Sequence, residues 1–247
     1  MARARGRPLP VEQPRTDEAW RRSSSGRARR RRSRRRRQLA VVTVVVLVVV
    51  AIVVRERFET SDGFSLPSSS TLAGMSLRQR IVAIAESQVG YSTQPANSYC
   101  NKFSAYWDAG TANCPNGETS EEWCADFAAW AWKIAGVPIV YGYDPNEING
   151  AVVSFYEWGL ANGRWHPLSS GYVASAGDVA IYGLSRSTRS AVHAAIVTSD
   201  TREAKGPDVV NGDGDRTGFS DVEIGVDQVM AEADQRGSTL DGYVSPN

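Results

Sequence analysis

Hydrophobic and polar positions divide the 247-residue chain into three regimes. Residues 39–54, LAVVTVVVLVVVAIVV, form an unbroken apolar run with Thr43 as its one polar side chain. From residue 76 the apolar positions take a helical period. In SLRQRIVAIAESQVG (76–90), Leu77, Ile81, Ile84, Ala85 and Val89 share one helix face. Ser76 with Gln79 spells a capping box, and Gly90 supplies a stop. SEEWCADFAAWAWKIAG (120–136) reads as a second, largely buried helix. Thr119 with Glu122, or Ser120, serves as its cap, and Gly136 with Pro138 ends it. Residues 149–162 predict a third helix, and residues 91–119 a loop.

After residue 175 the period changes. GDVAIYG (177–183), AVHAAIVTS (191–199), PDVVNGD (207–213) and VEIGVDQV (222–229) are short, rich in valine and isoleucine, and bounded by turn residues. Helices first and strands second predict an α+β domain in which N-terminal helices pack on an antiparallel sheet.

Charge changes the reading of the first regime. Residues 1–37 hold 15 arginines and three acids, a net of +12, and the remainder is −11. Large apolar residues are scarce before Leu39, so a disordered basic tail is predicted for 1–38. An arginine block such as RARRRRSRRRR (27–37) is able to bind nucleic acid through phosphates. Beside the apolar run, however, it reads as topogenic charge in contact with anionic lipid, and no nucleic-acid partner is expected.

As a helix the run spans ~24 Å, short of the ~30 Å hydrocarbon core. Arg37, Arg55 and Arg57 can snorkel to cover the difference. Residues 39–54 are therefore expected to be a transmembrane signal anchor. A cleaved signal peptide is the competing reading, but Arg-Glu-Arg-Phe-Glu (55–59) offers no small-residue cleavage site. The positive-inside rule puts the N-terminus in the cytoplasm and the acidic part outside. The expected layout is tail 1–38, anchor 39–54, flexible tether 55–75 and extracytoplasmic catalytic domain 76–247.

The chain has three cysteines and two histidines. In an oxidising exterior, Cys100 and Cys114 can close a loop of about 15 residues, worth ~3 kcal/mol. That pairing leaves Cys124 as an odd thiol at a helix start, where orphan N–H groups favour a thiolate. A cysteine nucleophile needs a base and a group that orients the base. His193, in a strand of small and apolar residues, is the expected base, with His166 in its Arg-Trp-His-Pro loop as the competitor. Asn211 is the expected orienter and Asp213 the competing one. Trp123 reads equally as cleft wall or core. Asp178 reads as a structural hydrogen-bonding group with a lesser claim on the cleft.

WCADFAAWAWKIAG, GDVAIYG, His193 in its valine-rich strand and VVNGDG, in this order, resemble the CHAP domain (cysteine, histidine-dependent amidohydrolase/peptidase). The resemblance covers about residues 78–215. It implies a papain-like fold, Cys124 as nucleophile and His193 as base. The family's third polar residue is often Glu, where this chain has Asn211. It further implies cleavage of a peptidoglycan amide, either an N-acetylmuramoyl-L-alanine bond or a peptide bond. A catalytically silent wall-binding module is the alternative. No cofactor is expected. Asp213, Asp215, Thr217 and Asp221 alternate as in a calcium loop, but Ile224 stands where a bidentate Glu belongs, so no metal is expected either.

Overall fold

A computed structural model describes residues 58–61, 63–96, 98–199, 207–214, 221–225 and 239–247. The basic tail and residues 39–54 lie outside them. Among the described residues no helix is long and apolar enough to cross a membrane.

The fold is mixed α+β. Six strands form one antiparallel sheet: β5 (Trp165–Pro167), β6 (Val179–Tyr182), β7 (His193–Val197), β8 (Val209–Gly214), β9 (Asp221–Gly225) and β10 (Leu240–Val244), in the order β5-β10-β6-β7-β8-β9. The last of the described strands thus lies inside the sheet, second from one edge. It pairs with β5 on one side and β6 on the other.

Among the described residues five α-helices accompany the sheet: α1 (Ser69–Ala73), α2 (Leu77–Glu86), α3 (Lys102–Tyr106), α4 (Cys124–Ala135) and α5 (Val153–Ala161). The predicted capping box opens α2: Ser76 Oγ accepts from Gln79 N, and Gln79 Oε1 accepts from Ser76 N. Helix α4 is the core of the molecule. Ten of its side chains are buried, from Cys124 to Ala135, as expected for a helix apolar on every face. Its alanines let the backbone approach the sheet closely. At Gly212 of β8 an added Cβ would stand 2.4 Å from Phe127 Cβ, so only glycine fits there. Gly136 closes α4 with φ +99°, a left-handed cap suited to glycine.

The helix start differs from expectation. Thr119 and Ser120 do not cap α4. They form β4 (Thr119–Ser120), which pairs with β3 (Cys100–Asn101), and Trp123 takes the cap position without a side-chain bond. Pairing with a distant strand outweighs the local capping pattern. The Cys100–Cys114 disulfide is present, with Cα atoms 5.8 Å apart. It anchors β3 to the loop that leads into β4.

The tether reading is corrected between 58 and 75. Strands β1 (Phe58–Ser61) and β2 (Phe64–Pro67) pair as a hairpin, followed by α1. Phe64 is buried, stacked on Trp130 at 4.6 Å and tilted against Phe103 at 5.5 Å. One aromatic side chain docked on the core turns a polar, serine-rich stretch into ordered structure. Among the described residues, ordered structure accordingly begins at Phe58 rather than at 76.

Candidate active site

Three elements meet at the N-terminal end of α4. Cys124 is the first residue of that helix, is 5% exposed and is the free cysteine of the chain. Its sulfur receives the backbone N–H groups of Ala125, in its own helix turn, and of Ala194, in β7. The second contact fixes the sulfur one residue from His193.

His193 begins β7, paired with Tyr182 of β6. Its Nε2 lies 2.9 Å from Asn211 Oδ1 on β8. A carboxamide oxygen can only accept, so Nε2 carries the hydrogen and donates it. The neutral ring then keeps its lone pair on Nδ1, which is the tautomer a base needs. Asn211 is 3% exposed, so this bond is shielded from competing water.

Of the two candidate orienters, Asn211 is bonded to the His193 ring, and Asp213 reaches the start of α4. Its Oδ2 accepts the Trp123 backbone N–H at 3.1 Å. An acidic side chain from β8 therefore caps the helix that its own sequence leaves uncapped. Asp213 adopts φ +60°, in the irregular stretch where the β8–β9 register shifts between Asn211 and Gly214. The left-handed residue turns the carboxylate toward α4 while Asn211 stays on the ladder. The pattern read as a calcium loop runs on through residues 215–220, outside the described residues. Among the described residues no group of three or more His, Cys, Asp or Glu is placed to hold a metal.

Burial pushes the Cys124 thiol up to about 12, with Asp213 and then Asp126 adding to the rise; the N–H groups of Ala194 and Ala125 pull the other way. Burial therefore favours the neutral thiol. The N–H groups act in the expected direction, toward the thiolate, without prevailing. Desolvation of a small, shielded anion outweighs two N–H contacts.

The other candidates lie apart from this geometry. Trp123 is fully buried, stacked on Phe103 at 5.2 Å, and belongs to the core rather than a cleft wall. Asp178 is fully buried too. It accepts from Arg78 Nη1 at 2.6 Å, Tyr172 Oη at 2.9 Å and Ser175 N at 2.8 Å, which ties α2 to the turn before β6. That network makes it structural and removes it from the cleft. His166 stacks on Tyr172 at 3.8 Å, and its Nε2 lies 3.0 Å from Ser245 Oγ.

Sequence reasoning passed over Glu121, Asp126 and Tyr141. Asp126 is fully buried two residues after Cys124. It accepts from Ser104 Oγ at 2.6 Å and Tyr141 Oη at 2.5 Å. One signal was present: an acid inside the apolar run CADFAAWAW has nowhere to point but the interior. Glu121 and Tyr141 carried no such mark.

Comparison of the chain with known protein families, with curated proteins and with solved structures finds no match.

Proposed function

We propose that this protein is a membrane-anchored cysteine hydrolase of CHAP type, with a papain-like site that cleaves an amide of peptidoglycan outside the cell. The observation that carries the reading is the 2.9 Å His193–Asn211 bond beside a lone cysteine whose sulfur touches the neighbour of that histidine. The succession of Cys on a helix, His on one strand and Asn on the next supports the same reading.

The chemistry is acyl transfer. Because the resting thiol is protonated, attack is coupled to proton transfer. His193 Nδ1 takes the Cys124 proton as the sulfur bonds to the amide carbon. The C–N bond then breaks, and the imidazolium gives that proton to the departing amine. Water next enters. His193 takes one of its protons, the oxygen bonds to the acyl carbon, the C–S bond breaks, and the sulfur recovers the proton. The bond to Asn211 Oδ1 holds the ring in place and stabilises the imidazolium at each stage. The Cys124 backbone N–H, at the helix start, is the oxyanion donor.

A second reading is favoured by one observation. A buried thiol held near 12 also suits a catalytically silent module that binds the wall. Mass spectrometry of purified sacculi digested by the full chain separates the two. The hydrolase releases soluble fragments with equal numbers of new amine and carboxyl ends, and those ends name the bond. Intact sacculi with the protein bound to them support the silent module.

A further inference from the structure

Glu121 stands three residues before Cys124 and Asp126 two residues after it. Glu121 Oε1, Asp126 Oδ1 and Tyr141 Oη converge beneath Gly150, within 3.0, 3.3 and 3.3 Å of the point a Cβ there would occupy. Two carboxyl groups gathered here without a cation favour holding one proton between them. Asp126 already accepts from two hydroxyls. Ser104 Oγ receives Asn101 Nδ2–H at 2.9 Å, so its own proton points to Asp126. The Tyr141 hydroxyl, pushed well above its ordinary range by burial first and by Asp126 next, remains a donor. Two neighbours thus already donate to Asp126, which leaves Glu121 as the place for that proton.

The Glu121 oxygen itself points the same way. Oε1 is shielded from solvent and has no hydrogen-bond partner among the described residues. A buried carboxylate oxygen left so would be costly, whereas the carbonyl oxygen of a neutral acid tolerates it. The ion pairs between described residues are Arg78–Asp178 and Arg189–Glu157, so no base side chain offsets Glu121 or Asp126. The roof is close. A Cβ on Gly150 would stand 3.0 Å from Glu121 Oε1 and 3.3 Å from Asp126 Oδ1. Burial first, then Asp126, pushes Glu121 up to about 8.

We propose that Glu121 is a positioning residue, kept protonated so that it clamps the entry of α4 to Asp126, and that its ionisation loosens the Cys124 end of the helix. The clamp rests on the hydrolase reading for its catalytic consequence, but not for its existence. The titratable groups facing it are Asp126 from α4 and Tyr141 from the loop after α4, with Tyr143 beyond Tyr141. Cys124 in turn feels Asp126. An extra charge on Glu121 therefore reaches the nucleophile through the segment between them.

The folded state favours the acid form of Glu121. This stability is complete below the ordinary glutamate range, near 4.5, and is lost as pH rises through about 8.

The test compares full-length wild type, Glu121→Gln and Glu121→Ala in urea unfolding from pH 5 to 9, alongside the pH profile of sacculus hydrolysis. The glutamine amide donates to Asp126 at every pH. The wild-type folding constant should fall roughly tenfold or more relative to Glu121→Gln between pH 5 and 8, after allowing for partial exposure. Glu121→Gln should extend the alkaline limb of the activity profile, and Glu121→Ala should lack the clamp throughout. Parallel wild-type and Glu121→Gln unfolding curves, or Glu121→Ala behaving like Glu121→Gln, would overturn the proposal. The unfolding result stands even if no sacculus is cleaved, so it fails or survives independently of the hydrolase reading.

Discussion

Asp178 and Asp126 are both fully buried, yet they are accommodated in opposite ways. Asp178 holds the guanidinium of Arg78 and two neutral donors, Tyr172 and Ser175. Its charge is neutralised on the spot. Asp126 has two hydroxyl donors, the neighbouring Glu121 carboxyl and, among the described residues, no cation. The first arrangement joins α2 to the sheet through a pair of fixed charges. The second stands two residues from Cys124 and leaves a negative charge that its sulfur feels. A buried acid needed only for architecture is paired with a base. The one near the proposed chemistry is held by groups that titrate.

Breaking the stronger arrangement should have the larger effect. Arg78→Met leaves Asp178 as a buried charge without its partner, and should cost about 3 kcal/mol in urea unfolding. A loss below about 0.5 kcal/mol would show that the Tyr172 and Ser175 donors suffice, and that the two acids differ less than their partners suggest. Tyr141→Phe removes one hydroxyl from Asp126 and should cost about 1–2 kcal/mol. With its anion less supported, the pair should hold its proton more tightly, so the pH midpoint assigned to Glu121 should rise. An unchanged midpoint would uncouple Tyr141 from the shared proton. The smallest effect belongs to Asp213, which carries charge toward the same sulfur from β8. Asp213→Asn keeps an acceptor for the Trp123 N–H but removes the charge, so the Cys124 thiol should ionise more readily. Alkylation by iodoacetamide at pH 8 should quicken several-fold, up to about tenfold for a shift of one unit. No change in rate would mean that burial alone sets the state of the thiol.

What could be read from sequence follows how local each interaction is. The Ser76–Gln79 capping box lies within one turn and was legible. Cys100 and Cys114 were legible because they lie 14 residues apart within one loop, so their pairing needs little of the rest of the fold. His193 and Asn211 sit on adjacent strands in the order the chain suggested. The start of α4 was not legible. Thr119 and Ser120 look like caps but are drawn into pairing with residues 100–101, and the true capping group, Asp213, is 90 residues away in the chain. The hairpin from 58 to 67 was lost for a similar reason, since the docking of Phe64 beside Trp130 leaves no trace in the local composition. Strand β10 follows the same rule: between β5 and β6 it lies inside the sheet, yet its sequence Leu-Asp-Gly-Tyr-Val is too short and mixed to declare itself.

The central claim is that Cys124 is a working nucleophile. It is tested most directly by incubating one suspension of purified sacculi with the full-length wild type and with Cys124→Ala, and following turbidity. The account predicts clearing by the wild type and none by Cys124→Ala. Identical traces from the two proteins would contradict it.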